Sequence, residues 1–238
     1  GHYAKIVYNK QLKAYNLQQA KDNNKDQTYF LQRLQQNQLA KTLFPLADFN
    51  KKQVRELANK YHLPNYAKKD STGICFIGNK KFANFLANYL VEKPGKIINL
   101  NNKIVGQHRG VIFYTIGQRQ GLGIGGNKNS NHEPWYVVNK DLKNNLLIVA
   151  QGKNHPALFK TELTASNLSW INNNNLLTFQ CQARIRHRQI LQDCTVFCLD
   201  NNKNQVKVIF KQAQRAVASG QAIAFYQSKC CLGGGIID

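Results

Sequence analysis

The sequence predicts an α/β segment, then a small mixed α+β domain, then a C-terminal antiparallel β-barrel. Three observations predict this order. Helical periodicity is confined to the stretch ending near Leu90, a series of short strand candidates follows, and from about Lys153 onward every segment reads as a strand between polar turns. A chain of 238 residues is long enough to bury a real core and divides at typical domain sizes into about two or three units.

The elements follow in order. HYAKIVY has the aromatic and β-branched content of a strand, and a polar turn runs from Lys21 to Lys25. DQTYFLQRLQQ sets Tyr29, Phe30, Leu31 and Leu34 at helical spacing behind Asp26, a suitable N-cap. A second helix is expected from Lys51 to His62, where Val54, Leu57, Ala58 and Tyr61 form an apolar stripe behind the cap Asn50. KFANFLANYL reads as a short amphipathic helix. KIINL, KIVGQH, VIFYTI, WYVVNKD and NLLIVAQG then read as strands, joined by turns at Asn101, Asn144 and Gly121 to Gly126. FQCQARIRHRQ, CTVFCLD, QVKVIF and QAIAFYQ complete a small barrel.

Composition narrows the function classes. Hydrophobic residues make up 42% of the chain, too many for a disordered chain of this charge. No stretch approaches the roughly 20 apolar residues of a membrane span, so no membrane partner is expected. GHYAKIVYNK lacks the apolar core of a signal peptide, which makes the cytoplasm the expected location. Residue 1 is glycine and methionine is absent, so the chain is expected to be processed or part of something longer.

The formal charge is +21, from 33 Lys plus Arg against 12 Asp plus Glu, and favours a polyanion as partner. Nucleic acid is the first candidate. The alternative is a proteome rich in Lys and Asn. Of the six cysteines, Cys230 and Cys231 are adjacent, which suits neither an ordinary disulfide nor a chelate; Cys194 and Cys198 share one strand face and read as packing residues. There is no CxxC pair, which argues against a zinc ribbon, and no bound metal site is expected.

Three motifs could carry chemistry. Cys75, in KKDSTGICFIG, lies in a polar turn where backbone N–H groups and Lys68 or Lys69 could stabilise a thiolate; it could equally be a small apolar residue opening the Phe76–Ile77 run. YTIGQRQGLGIGG lacks the terminal Lys-Ser/Thr of a phosphate-binding loop and reads as a tight backbone crossing with Arg119 exposed. ARIRHRQ alternates as a strand would, putting Arg184, Arg186 and Arg188 on one face over roughly 13 Å, a match for a phosphate backbone. A solvated barrel face is the other reading of that strand. His187 has no nearby carboxylate partner and on its own reads as structural.

Taken together, GHYA, KDQTYFL, KKDSTGICFIG, VGQHRG, YTIGQRQGLGIGG, PWYVV, LIVAQG, RIRHRQ, SGQAIAFY and CLGGGII, in this order along the whole chain, closely resemble the bacterial tRNA-specific 2-thiouridylases, the MnmA family. The resemblance implies an enzyme that uses ATP, with Mg2+, to adenylate the C2 oxygen of the wobble uridine (position 34) of tRNA, after which a cysteine persulfide delivers sulfur and AMP leaves. Oxygen at C2 is a poor leaving group until adenylated, and a persulfide is a potent nucleophile. It further implies Cys75 as the persulfide-bearing cysteine and Gly1 as a backbone contact to ATP. His2, the stretch Lys25, Asp26 and Gln27, the pair Arg186 and His187, and Gln221 correspond to tRNA contacts. Its partners would be tRNA and a sulfur-donating carrier protein or cysteine desulfurase. In the family a disulfide can join the persulfide cysteine to a second catalytic cysteine during turnover.

The fold implied by the resemblance is the C-terminal part of an adenine-nucleotide α-hydrolase-like (PP-loop ATPase) α/β domain at 1–80, a central domain at 81–150, and a tRNA-binding barrel at 151–238. The family's Gly/Ser-rich pyrophosphate loop and its second catalytic cysteine are not found in this sequence, so the expectation is a chain truncated at its N-terminus that does not adenylate uridine alone. A non-catalytic tRNA-binding remnant is the alternative. A hydrolase built on Cys75 is disfavoured, because no nearby histidine motif supplies a base.

Overall fold

The computed structural model describes residues 2–68, 89–125, 133–172, 177–199 and 204–238. Gly1, Cys75 and its motif, and most of KFANFLANYL lie outside the described residues. The chain forms two compact units, one from 1–68, 161–213 and 219–238, the other from 69–160 and 214–218.

The first unit is built on a closed barrel. Its strands are β7 (Phe159–Trp170), β8 (Thr178–Arg184), β9 (Gln192–Cys198), β10 (Gln205–Arg215), β11 (Ala222–Gln227) and β12 (Cys230–Ile237). Their order is β12-β11-β8-β9-β10-β7, and β7 pairs back onto β12 to close the ring. Val206, Val208 and Phe210 alternate inward along β10, as the period of a half-buried strand requires. In β11 the run Ile223 to Tyr226 is buried without alternation. Both faces of that strand are covered, because Ala224 and Tyr226 pack in a second apolar cluster with Leu17, Tyr29, Leu39 and Cys231.

That cluster is supplied by the N-terminal segment. β1 (Ala4–Asn9) and β2 (Ala14–Gln19) form an antiparallel hairpin, and β2 pairs with the start of β12 through Leu17↔Cys231. β12 therefore serves two neighbours in turn, β2 at Cys230 and Cys231 and β7 from Gly233 on. The exchange requires glycine at 233. Its φ is +136°, and a Cβ there would collide with the Ser169 carbonyl oxygen of β7.

The helix expected through DQTYFLQRLQQ is instead two single turns, α1 (Thr28–Leu31) and α2 (Gln36–Leu39). Side-chain hydrogen bonds to the rest of the unit override its helical pattern. Gln36 accepts from Tyr15 N at 2.8 Å and donates to the Ile171 carbonyl at 2.9 Å. α3 (Lys51–Lys60) forms as expected behind Asn50, which accepts from Gln53 N at 2.9 Å while the Gln53 side chain accepts from Asn50 N. Its apolar stripe stays half exposed, with no residue of α3 buried.

In the second unit, β3 (Gly95–Asn99), β4 (Ile104–His108), β5 (Trp135–Asp141) and β6 (Leu146–Gln151) form a sheet in the order β4-β3-β6-β5, with β3 parallel to β6. Ile97, Leu122, Val137, Leu147 and Val149 make its core. VIFYTI is not a strand. Val111 to Phe113 is a 3-10 turn, which sends Val111 and Tyr114, three positions apart, into that core. In the Gly-rich stretch, Gly121 and Gly123 adopt left-handed φ of +76° and +63°, and Arg119 is exposed. The glycines serve backbone shape there.

Candidate nucleic-acid interface

Lys25, Asp26 and Gln27 connect β2 to α1, and the barrel end of the first unit folds against them. Asp26 is buried, with 1% of its surface accessible, and its carboxylate forms an ion pair with Nη2 of Arg184 at the end of β8. Thr28 Oγ1 lies 2.8 Å and 3.0 Å from the two carboxylate oxygens, and the Ala20 N–H donates at 3.3 Å. Arg184 Nε donates to the Tyr226 hydroxyl at 3.0 Å, and that hydroxyl lies 3.1 Å from Thr28 Oγ1. A closed hydrogen-bonded ring results, running from guanidinium through Tyr226 and Thr28 to carboxylate. Two charges survive burial here because each has an opposite charge and further hydrogen-bond partners.

The electrostatics follow from this ring. Burial works against the Arg184 charge, but the Tyr226 oxygen and Asp26 outweigh it and hold its pKa above the ordinary value. Burial also raises the Tyr226 hydroxyl, with nearby Cys231 adding to the effect, so its proton stays on as a donor. Cys231 itself is pushed up to about 12 by burial.

Tyr29 ties the two barrel segments together. Its hydroxyl lies 2.8 Å from the Ala222 carbonyl and 3.2 Å from the Ile185 carbonyl, acceptors adjoining Gln221 and Arg186 respectively. Gln27 holds the residue after His2 from both sides, accepting from Tyr3 N at 3.0 Å and donating its own N–H to Tyr3 O at 2.9 Å. His187 stands 4.7 Å, ring to ring, from Phe30. Its pKa is lowered first by burial and then by Arg188 and Arg184, which leaves the imidazole neutral at pH 7.

The fold thus gathers the elements carrying His2, Lys25, Asp26, Gln27, Arg186, His187 and Gln221 in one unit, although they are spread along most of the sequence. Gly1 and Cys75 lie outside the described residues. One expectation is corrected. Arg184, Arg186 and Arg188 do not share a strand face, because β8 ends at Arg184 and residues 185–188 turn, with Arg188 at a φ of +65°. Gln189 fixes the turn by accepting from Ile185 N at 2.8 Å. Arg184 is buried, Arg186 half-buried and Arg188 exposed.

Sequence reasoning missed Thr28, Tyr29 and Tyr226. The one available signal was the unalternating apolar run ending at Tyr226, which marks a strand covered on both faces. Among the described residues, no group of three or more His, Cys, Asp or Glu is placed to hold a metal ion, and no helix is long and apolar enough to cross a membrane.

Three family models match the chain in succession. They are the tRNA methyl transferase HUP domain at residues 1–79, the tRNA methyl transferase PRC-barrel domain at 83–151, and the aminomethyltransferase beta-barrel domain at 160–237. Among curated relatives, the tRNA-specific 2-thiouridylase MnmA 1 of Geobacillus kaustophilus is 51% identical over all of this chain and 63% of its own length. The tRNA-specific 2-thiouridylase MnmA of Nitrosococcus oceani is 50% identical over the whole chain and 64% of its own. That of Coxiella burnetii is 48% identical over the whole chain and 65% of its own. The chain spans a little under two thirds of the length of these relatives. With a HUP-domain fragment, a PRC-barrel-like middle domain and a closed C-terminal barrel matched in order, the chain belongs to the MnmA family of tRNA-specific 2-thiouridylases.

Proposed function

We propose that this chain holds the tRNA for a 2-thiouridylase, with a binding face made of His2, Lys25, Gln27, Arg186, His187 and Gln221. The observation that carries the proposal is the buried Asp26–Arg184 pair, which fixes the Lys25–Gln27 segment against the barrel segment bearing Arg186 and His187. Asp26 serves this face by positioning its neighbours, since its carboxylate is spent on Arg184 and a bare carboxylate would repel phosphate. The surplus of positive charge, +21 overall, suits a partner with a phosphate backbone.

In the complete reaction, ATP, with Mg2+, would supply the adenylyl group that lets the C2 oxygen of the wobble uridine leave with AMP; the outer sulfur of a persulfide on Cys75 would bond to C2, and a second cysteine thiol would break the S–S bond by forming a disulfide with Cys75. Gly1 would meet the ATP, and a sulfur-carrier protein or cysteine desulfurase would load Cys75. The division 1–80, 81–150 and 151–238 assigns these steps to an adenylation domain, a central domain and a tRNA-binding barrel in a cytoplasmic enzyme. These 238 residues contain no Gly/Ser-rich pyrophosphate loop, so the isolated chain is expected to bind tRNA without forming 2-thiouridine.

The test is filter binding of unmodified tRNA to the 238-residue chain over a range of salt concentrations, with a parallel thiolation assay containing ATP and a sulfide source. Phosphate-dominated binding falls linearly in log affinity against log salt. Absent or salt-insensitive binding would remove the proposal. Formation of 2-thiouridine by the chain alone would overturn the expectation of inactivity.

A further inference from the structure

We propose that Phe30 and His187 form a stacking platform for one unpaired base of the bound RNA, an inference that rests on the tRNA-binding reading above. Phe30 is 61% exposed, an unusual placement for a phenylalanine whose neighbour Tyr29 is buried. The exposure is built in. The Tyr29 hydroxyl is held by the Ile185 and Ala222 carbonyls, so the turn that carries both rings is fixed with Phe30 facing outward. Behind it the His187 ring lies 4.7 Å away, inclined at 38°. The Nδ1 edge of His187 is turned inward, buried without a hydrogen-bond partner among the described residues.

The surroundings select the occupant. An exposed aromatic ring could receive an apolar side chain or a base, but Lys25, Arg186 and Arg188 are close enough to act on the Tyr29 or His187 titration, and they favour a ligand that carries phosphates beside its ring. An unpaired nucleotide meets both demands, with its base against Phe30 and its phosphates toward the cations. His187 adds a second ring beside Phe30 to the same platform. A base inside a duplex offers no free face, so the platform prefers loops to helices.

The experiment compares the 238-residue chain with its F30A, F30W and R186Q variants. Each is titrated against a labelled RNA hairpin with an unpaired loop and against a blunt RNA duplex of equal length, at several salt concentrations, with circular dichroism checking the fold. Stacking on one base predicts that F30A weakens hairpin binding by roughly 5- to 100-fold at every salt, with an unchanged salt slope and unchanged duplex binding. F30W should bind the hairpin at least as well as the parent chain, with its fluorescence quenched. R186Q should instead reduce the salt slope by about one. Hairpin binding by F30A equal to the parent, or a loss that is the same for hairpin and duplex, overturns the platform while leaving the tRNA reading intact. A parent chain that binds neither RNA overturns both.

Discussion

Asp26 and Arg184 stand 158 positions apart in sequence and meet as an ion pair whose side chains are 0% and 4% exposed. Breaking such a pair from one side strands the other charge in the interior. D26L or R184M is expected to lower the stability of the barrel unit by about 3–5 kcal/mol in urea unfolding. The double variant D26L/R184M should recover much of that loss, because no charge is left unpaired. Additive losses in the double-mutant cycle would show that the pair is not coupled.

His187 sets a pH dependence of stability. Its folded pKa is depressed, so the native state prefers the neutral ring and the unfolded chain protonates first as pH falls. The stabilisation is complete above the unfolded value of about 6.5 and is lost as pH drops through that value toward the folded one. An NMR titration should place the His187 midpoint below 6.5. H187Q should flatten the slope of stability against pH in the same window. A midpoint above the ordinary value would mean that a nearby carboxylate dominates instead.

Two glycines with positive φ separate backbone strain from collision. Gly123, at +63° with no atom of the described residues within 4 Å of an added Cβ, should lose only about 1 kcal/mol on substitution by alanine. Gly233 combines its left-handed φ with the Ser169 carbonyl in the path of a Cβ, at the point where β12 changes neighbours. G233A should cost about 2–4 kcal/mol in denaturant unfolding, from strain and overpacking together. Equal effects at the two sites would contradict the packing described for β12.

The thiols should differ in reactivity. Cys231 is buried with its pKa pushed up to about 12, and Cys181 is buried, raised in pKa mainly by its contact with Cys194, whose sulfur lies 3.7 Å away. Iodoacetamide at mildly alkaline pH should therefore modify half-buried Cys230 and Cys198 before Cys231 and Cys181, which should react only in denaturant. Peptide mass mapping reads the order directly. Early modification of Cys231 would indicate that the β2–β12 seam opens in the native state.

How much of this was legible in the sequence depends on whether the interaction was local. The capped helix behind Asn50 and the hairpins around Asn101 and Asn144 depend on neighbours a few residues away, and they stand as expected. VIFYTI failed because its β-branched content outvoted the spacing of Val111 and Tyr114, which only the position of the core reveals. The three-arginine strand failed for a related reason. Alternation assumes that the strand continues, yet β8 stops where Arg184 finds Asp26, and no local feature of ARIRHRQ points to a partner so far upstream. Tyr29 carries no signal at all, since its role lies in two backbone carbonyls supplied by the barrel.

On the proposed function, the residues carried by the N-terminal loop and the barrel end form one tRNA face. The most direct measurement is ultraviolet crosslinking of unmodified tRNA to the 238-residue chain, followed by mass-spectrometric mapping of the linked peptides. Crosslinks are expected in peptides around Lys25 to Phe30 and around Arg186 to Arg188, both lost together in the D26N variant. Crosslinks confined to the second unit, or persisting at one segment when the other is lost, would contradict it.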